Sequence, residues 1–418
     1  VKSPRSYLPT ASAFYLSYFV HGMAVIALAQ HSAALQAQWQ VGESQVLLAI
    51  SGIGIGKVLG AGVGGALSDR FGRRPIASLG TLCFIAYFIG ILFSPGWQVG
   101  FGLAVLMGLA NAMLDGGSYP TLMESYPQRA GSMVLLVKIF VSGGQLVLPL
   151  AIAALLAHGL YWGWTLIACA ALMAVVFVLL QCVPFPDYRA LAEAQQQQLS
   201  TTATHDAQRE RIGVEAIALV AIGFTSTATF WLAQTSLPSL GQHLAGMAQT
   251  PARALVSIYS AGSLLSVFIT GALIARWFKE VQFLVLYPTI AALAYFGLLV
   301  FRDALAYQVL AFVIGFTAAG GVLQLALTVM AKFYPGRKGR ITGIINTASS
   351  LSAFVLPYVT GLLIGGGGDA GSYRQVVLVG AGVALLGTAL SLVVLARYRR
   401  VFGVRAGTAP TLADGTVA

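Results

Sequence analysis

Of 418 residues, 57% are hydrophobic and only 9% are charged, and the mean hydropathy is +0.81. Water-soluble domains carry about 25% charged residues, so this composition excludes a string of soluble domains, although the length alone would allow two or three. The formal net charge of +11 therefore calls for a reading that suits a membrane surface rather than nucleic acid.

An apolar run of about 20 residues crosses the roughly 30 Å hydrocarbon core of a bilayer. Twelve such runs follow one another, at about 9–31, 45–67, 76–95, 98–120, 132–157, 160–182, 213–236, 252–275, 281–301, 305–331, 340–364 and 374–396. The first is too long and too weakly terminated for a cleaved signal peptide. The fold class expected is an all-α integral membrane protein. The only long polar stretch, 183–212, contains the run "AEAQQQQLSTTATHD" and reads as a solvated cytoplasmic linker. It divides the chain into bundles at 1–182 and 213–400, followed by a tail at 401–418.

Lysine and arginine placement fixes a sidedness. On the side away from the termini only Arg253, Arg302 and Arg374 occur, and Lys57 and Lys138 fall inside spans; the remaining lysines and arginines lie on the side of the termini. Such asymmetry predicts cytoplasmic termini by the positive-inside rule, with the surplus charge facing anionic lipid head groups. A nucleic-acid partner is not needed to explain it.

The second half echoes the first. "GALSDRFGRR" at 65–74 returns as "GALIARWFKE" at 271–280, "TLMESYPQRAG" at 121–131 as "TVMAKFYPGRKG" at 328–339, and "VLP" at 147–149 again at 355–357. One nearly constant offset spans all three pairs, which indicates a duplicated six-helix unit with a site between its halves near mid-membrane. Twelve spans in a 6+6 duplication, with Gly65, Leu67, Asp69, Arg70, Gly72, Arg73 and Arg74 after span 2, resemble the major facilitator superfamily and its G-x-L-x-D-R-x-G-R-R signature. "MLDGGSYPTLMESYP" and "VIGFTAAGGVLQLALTVMA" are similar, more narrowly, to the YdiM/YdiN-type enterobacterial inner-membrane transporters. The resemblance implies two pseudo-symmetric six-helix bundles that rock about a central site.

An aspartate where span 2 leaves the membrane can cap the amino end of another helix. The resemblance implies that Asp69 caps the start of span 11 near Gly339 to Thr342, while Arg73 pairs with Glu124 at the end of span 4. Together with Gly65, Arg70, Gly72 and Arg74 these residues would form a cytoplasmic gate that holds the outward-open state. Setting topology alone is the plainer role for the same charges. The second copy has Ala275 where Asp69 stands, so only the first half is expected to carry the latch.

Within the spans, charge is rare. Lys57 precedes Asp69 by 12 residues, about 18 Å along a helix, too deep to snorkel easily, so it should face a cavity. Asp115 is the one carboxylate near mid-membrane; Gly108, Asn111, Asp115 and Tyr119 share one face of span 4. Lys138, Ser142, Gln145 and Pro149 share a face of span 5. In the second half Lys57 corresponds to Ser263, so the duplication keeps the face and drops the charge. Neutral contacts are expected there from Trp231, Gln234, Tyr259, Gln324 and Asn346.

Each has a plainer reading. His21 suits either a proton relay or a hydrogen-bonded packing position. Trp231 and Tyr259 suit ordinary core or lipid-facing aromatics, and the glutamines and Asn346 suit interhelical bonding. Lys138 could serve only as a partner for Asp115.

Two cations against one carboxylate favour an anionic small-molecule substrate, with Asp115 as the proton-coupling group. Burial and a nearby lysine act on its proton in opposite senses. The sequence thus predicts a secondary transporter, operating as a monomer, that takes up a hydroxylated or aromatic organic acid such as shikimate or quinate by proton symport. A sugar or polyol is the alternative. Span 5 reads "VSGGQLVLPLAIAALL" and lacks the G-P-x-x-G-G pattern of drug antiporters, which places drug export behind both. A non-transporting receptor is a further possibility. An enzyme is not expected, since no nucleophile–base pair is present. Cys83, Cys169 and Cys182 have no metal-ligand spacing, and no phosphate-binding loop occurs. No metal and no cofactor is expected.

Overall fold

A computed structural model describes residues 7–126, 129–186, 213–319, 321–334, 338–365 and 368–402. Most of the linker expected at 183–212, and the tail beyond 402, lie outside the described residues.

The first half consists of α1 (Leu8–Gln30), the short α2 (Ser32–Trp39), α3 (Glu43–Phe71), α4 (Arg73–Phe93), α5 (Trp97–Ser125), α6 (Ala130–Ala157) and α7 (Trp164–Cys182). The second half consists of α8 (Val214–Ala245), α9 (Gln249–Arg276), α10 (Glu280–Val300), α11 (Ala304–Ile314), α12 (Val322–Phe333), α13 (Lys338–Gly365) and α14 (Ala370–Phe402). Among the described residues, twelve helical stretches are long and apolar enough to span a bilayer. Each matches one expected span, because a chain in hydrocarbon must satisfy every backbone amide within its own helix. Large apolar side chains such as Phe93, Ile217, Leu293 and Leu305 stand exposed on the outside, which suits contact with lipid. The buried interior holds Trp231, Tyr18, Tyr87, Tyr259 and Tyr295.

The tenth span departs from the expected single helix. After α11 the backbone widens into a π turn at Gly315–Ala319, and α12 starts only after Gly321 at φ 103°. That backbone region favours glycine.

Glycines set the closest helix approaches. A Cβ at Gly52 would lie 2.6 Å from the Phe101 carbonyl oxygen, and one at Gly108 would lie 2.7 Å from the Lys57 amide nitrogen. The backbones of α3 and α5 therefore nearly touch at the level of Lys57. The second half repeats the device: Gly262 of α9 meets Phe312 and Phe316, and Gly315 meets the backbone of Tyr259. Gly56/Gly108 and Gly262/Gly315 are thus matching pairs, as the sequence echo predicts.

Candidate functional site

A cavity opens between the halves, lined from the first by His21, Lys57, Lys138 and Gln145, and from the second by Trp231 and Gln324 among others. Six of the expected substrate contacts therefore meet in one place. Lys57 is carried there by α3, whose glycines press it against α5. Lys138 and Gln145 lie seven residues apart on α6, two turns on one face. Lys138 Nζ lies 5.3 Å from the centroid of the Phe230 ring, a cation–π contact that partly replaces water for the ammonium. Gln324 enters because the break at Gly321 lets α12 begin at cavity height.

Asp115 does not line this cavity. Tyr18 of α1 stands beside it, donating to Asp115 Oδ1 at 2.7 Å and meeting Ser118 Oγ at 2.6 Å. Lys57 and Asp115 feel each other's charge, yet the ion pairs found among the described residues at 4.0 Å or less include neither. Lys138 is likewise no direct partner of Asp115; the charge it feels is that of Lys57. Asn111 is buried on the Asp115 face of α5. Gln234 and Tyr259 are wholly buried away from the cavity, and the Gln234 amide and Tyr259 hydroxyl make no hydrogen bond. Asn346 stands exposed on α13, outside the cavity lining.

Residues not singled out in the sequence complete the wall. Phe230, Thr227 and Ser349 line it, with Thr227 and Ser349 joined at 2.7 Å. Tyr18 is the largest omission. It lies in the run "AFYLSYF", where nothing distinguishes it from its aromatic neighbours.

Among the described residues, the halves close over the cavity at one end only. Toward the face away from the termini, Ser44 Oγ donates to the Gly361 carbonyl at 2.6 Å, Glu43 accepts from Ser239 and Tyr373, and Ser257 Oγ donates to the Leu146 carbonyl at 2.8 Å. Gly54 lies against the backbone of Ala353 and Phe354. Toward the face of the termini, open space borders Gly65, Gly271 and Gly343, and Ile344, Asn346 and Thr347 of α13 are exposed. Antiparallel α3 and α13 thus touch from Ser44 to Gly54 and then diverge.

The loop motif sits at the open end. Gly72 takes φ 103° to turn α3 into α4. Arg73 binds Asp69 and also Glu124, the latter at 3.0 Å. Arg74 donates to the Val183 carbonyl at 2.7 Å and lies 5.0 Å from the Phe185 ring centroid, while Arg70 lies 5.3 Å from that of Phe71. The Arg73–Glu124 pair matches expectation, but Arg73 holds it without releasing Asp69. The Asp69 side chain is 70% exposed. The side chains of Gly339 to Thr342, its expected target, lie outside the described residues.

The profile of the Major Facilitator Superfamily matches residues 10–357 and 219–409. The chain belongs to this superfamily. The inner membrane transport protein YdiM of Escherichia coli K12 is 37% identical over 402 residues, covering 96% of each chain. An uncharacterised transporter of the superfamily, YfkL of Bacillus subtilis 168, is 36% identical over 96% of this chain and 99% of its own. A crystal structure of a D-xylose–proton symporter superposes with a TM-score of 0.74 at 14% identity, over 93% of this chain and 97% of that one. As a facilitator-superfamily member with these relatives, the chain is a multi-pass membrane transporter of small molecules and not an enzyme.

Proposed function

We propose that this transporter takes up a small organic acid together with a proton, its termini facing the cytoplasm, and that it works as a monomer. The observation that carries the reading is the cavity wall: Lys57, Lys138 and His21 line it, and no carboxylate does among the described lining residues. Two ammonium groups held in a low-dielectric wall are costly without a counter-charge. A carboxylate supplies that charge, and a ring or hydroxyl-bearing body suits the Trp231, Phe230, Gln145 and Gln324 surfaces. Shikimate and quinate have this chemistry.

Asp115 supports coupling by its position one side chain behind the wall. It shares a hydrogen bond with Tyr18 and feels Lys57. A bound anion takes up the Lys57 charge that otherwise faces Asp115, so substrate and proton favour each other. The loop motif would latch the face of the termini in the alternate state, when α3 and α13 close there.

A neutral sugar or polyol is the second reading, favoured by the hydroxyls of Thr227 and Ser349 beside two cavity glutamines. Thermal shift of the purified protein at acidic and neutral pH, across organic acids, sugars and cationic drugs, separates the two. Stabilisation by carboxylates that disappears in Lys57→Ala is the expected result. Stabilisation by polyols, unchanged in that variant, would sink the organic-acid reading.

A further inference from the structure

Above the cavity, the sealed end contains an arginine that its setting does not explain. Arg253 lies near the start of α9, in the interface rather than in a loop, with 8% of its surface exposed. Its Nη1 makes no hydrogen bond, and the ion pairs found among the described residues do not include it. A buried guanidinium left with an unpaired nitrogen costs several kcal/mol, and a purely structural arginine is normally paired.

Its neighbours place it between the two halves. Ser257, one turn further along the same face of α9, donates to the Leu146 carbonyl of α6 at 2.8 Å. Leu146 follows Gln145, which lines the cavity. The Arg253 charge also reaches His31, just beyond the end of α1. Next to His31 is Gln30, fully buried, with both amide atoms unpaired; Gln145 is 99% buried, and its amide atoms are unpaired too. Buried polar groups with unmet hydrogen-bonding capacity thus occur on α1 (Gln30), α6 (Gln145) and α9 (Arg253). Apolar residues would seal this seam at lower cost, so its polarity indicates a surface that is wet when the halves part.

We propose that Arg253 is an anion-binding residue of the outer translocation path, taking the carboxylate of an entering solute before Lys57 and Lys138 receive it. This rests on the organic-acid reading. Ten residues, about 15 Å of helix, separate Arg253 from Ser263, the counterpart of Lys57. One small acid therefore cannot touch both levels at once, and Arg253 forms a separate, earlier station. With the halves closed, Ser257 at this level is bonded to the Leu146 carbonyl of α6.

Two measurements test this. In the full-length transporter with Cys83, Cys169 and Cys182 replaced by serine, Ser257→Cys is labelled from outside with an anionic and a cationic methanethiosulfonate reagent. The anionic reagent should react faster, and Arg253→Gln should lower the anionic-to-cationic rate ratio by about tenfold. A ratio that Arg253→Gln leaves unchanged, or no labelling by either reagent, overturns the proposal. Labelled shikimate in right-side-out and inside-out vesicles supplies the second readout. Arg253→Gln should raise half-saturation from the outer face by about tenfold and leave the inner-face value within about twofold. Equal changes on both faces would contradict an outer station. If the parent protein moves no shikimate from either face while the reagent ratio still depends on Arg253, the organic-acid reading fails and the anion path stands.

Discussion

Tyr373 donates its phenolic hydrogen to Glu43 at 2.7 Å, joining the first helix residue of α3 to the opening turn of α14. The partners are 330 residues apart and belong to opposite bundles. Ser239 donates to the same carboxylate from α8, and His243 stacks on the Tyr373 ring with centroids 4.0 Å apart. Glu43 is therefore a clasp on the face away from the termini. A hydrogen bond to a charged group is worth about 1.5–3 kcal/mol, enough to move a two-state ratio by roughly 10- to 100-fold. Tyr373→Phe should shift the protein toward opening at this face. Spin labels at exposed Gln40 and Gln249 in the cysteine-free background would report a larger population at long distance. An unchanged distance distribution would show that the clasp carries none of the closure.

Gly54 makes a second, steric prediction. Its α-carbon faces the backbone of Ala353 and Phe354, and a Cβ there would overlap the Phe354 amide nitrogen. That backbone cannot move as a flexible side chain could, so overpacking should cost at least about 1–3 kcal/mol in the closed arrangement only. Gly54→Leu should fold, hold the halves apart at that end and reduce flux in proteoliposomes by tenfold or more. Flux at the parent rate would mean that α3 and α13 need not approach here during the cycle.

The fold was legible because hydrocarbon imposes one rule on every span, and the echo between halves set Lys57 against Ser263 and Asp69 against Ala275. The break in the tenth span was not. "GFTAAGG" has the hydropathy of a continuous helix, and only the left-handed glycine at 321 marks the interruption. Facing direction was the other gap. In α8, where threonines, serines and glutamines are scattered around the helix without one polar face, nothing told Trp231, which meets the cavity, from Gln234, which turns away. The Asp115 stripe was visible on α5, but its cover by Tyr18 depends on how α1 packs, a long-range contact that no local pattern encodes.

His31 makes stability depend on pH. It is buried between α1 and α2, with Nδ1 2.8 Å from the Ala27 carbonyl and Nε2 2.7 Å from Thr165 Oγ1. Burial pushes its pKa down to about 4, and the nearby Arg253 charge adds to this against the pull of the Ala27 bond. The folded protein then keeps His31 neutral at pH values where the unfolded chain, near 6.5, takes up a proton. The resulting stability is fully present above about pH 6.5 and is lost as pH falls toward 4, about 3 kcal/mol in all. Melting in detergent should show a smaller drop in Tm between pH 7.5 and 4.5 for His31→Gln than for the parent. Equal drops would assign the acid sensitivity to other groups.

Asp115→Asn tests coupling without altering shape. Asparagine preserves an acceptor for the Tyr18 hydroxyl and its place behind the cavity wall, but it cannot exchange a proton. Lys57 and Lys138 remain to hold the acid, so labelled shikimate should still exchange across proteoliposomes that contain it on both sides. Accumulation against a gradient should disappear, and with it the acidification of a lumenal pH dye during uptake. Tyr18→Phe should retain accumulation but slow it, because it removes a hydrogen bond to a charged group worth about 1.5–3 kcal/mol and leaves Asp115 less firmly placed. If Asp115→Asn still concentrates shikimate, the proton is carried elsewhere, and His21, whose Nδ1 is buried beside the cavity without a hydrogen-bond partner, becomes the group to replace next.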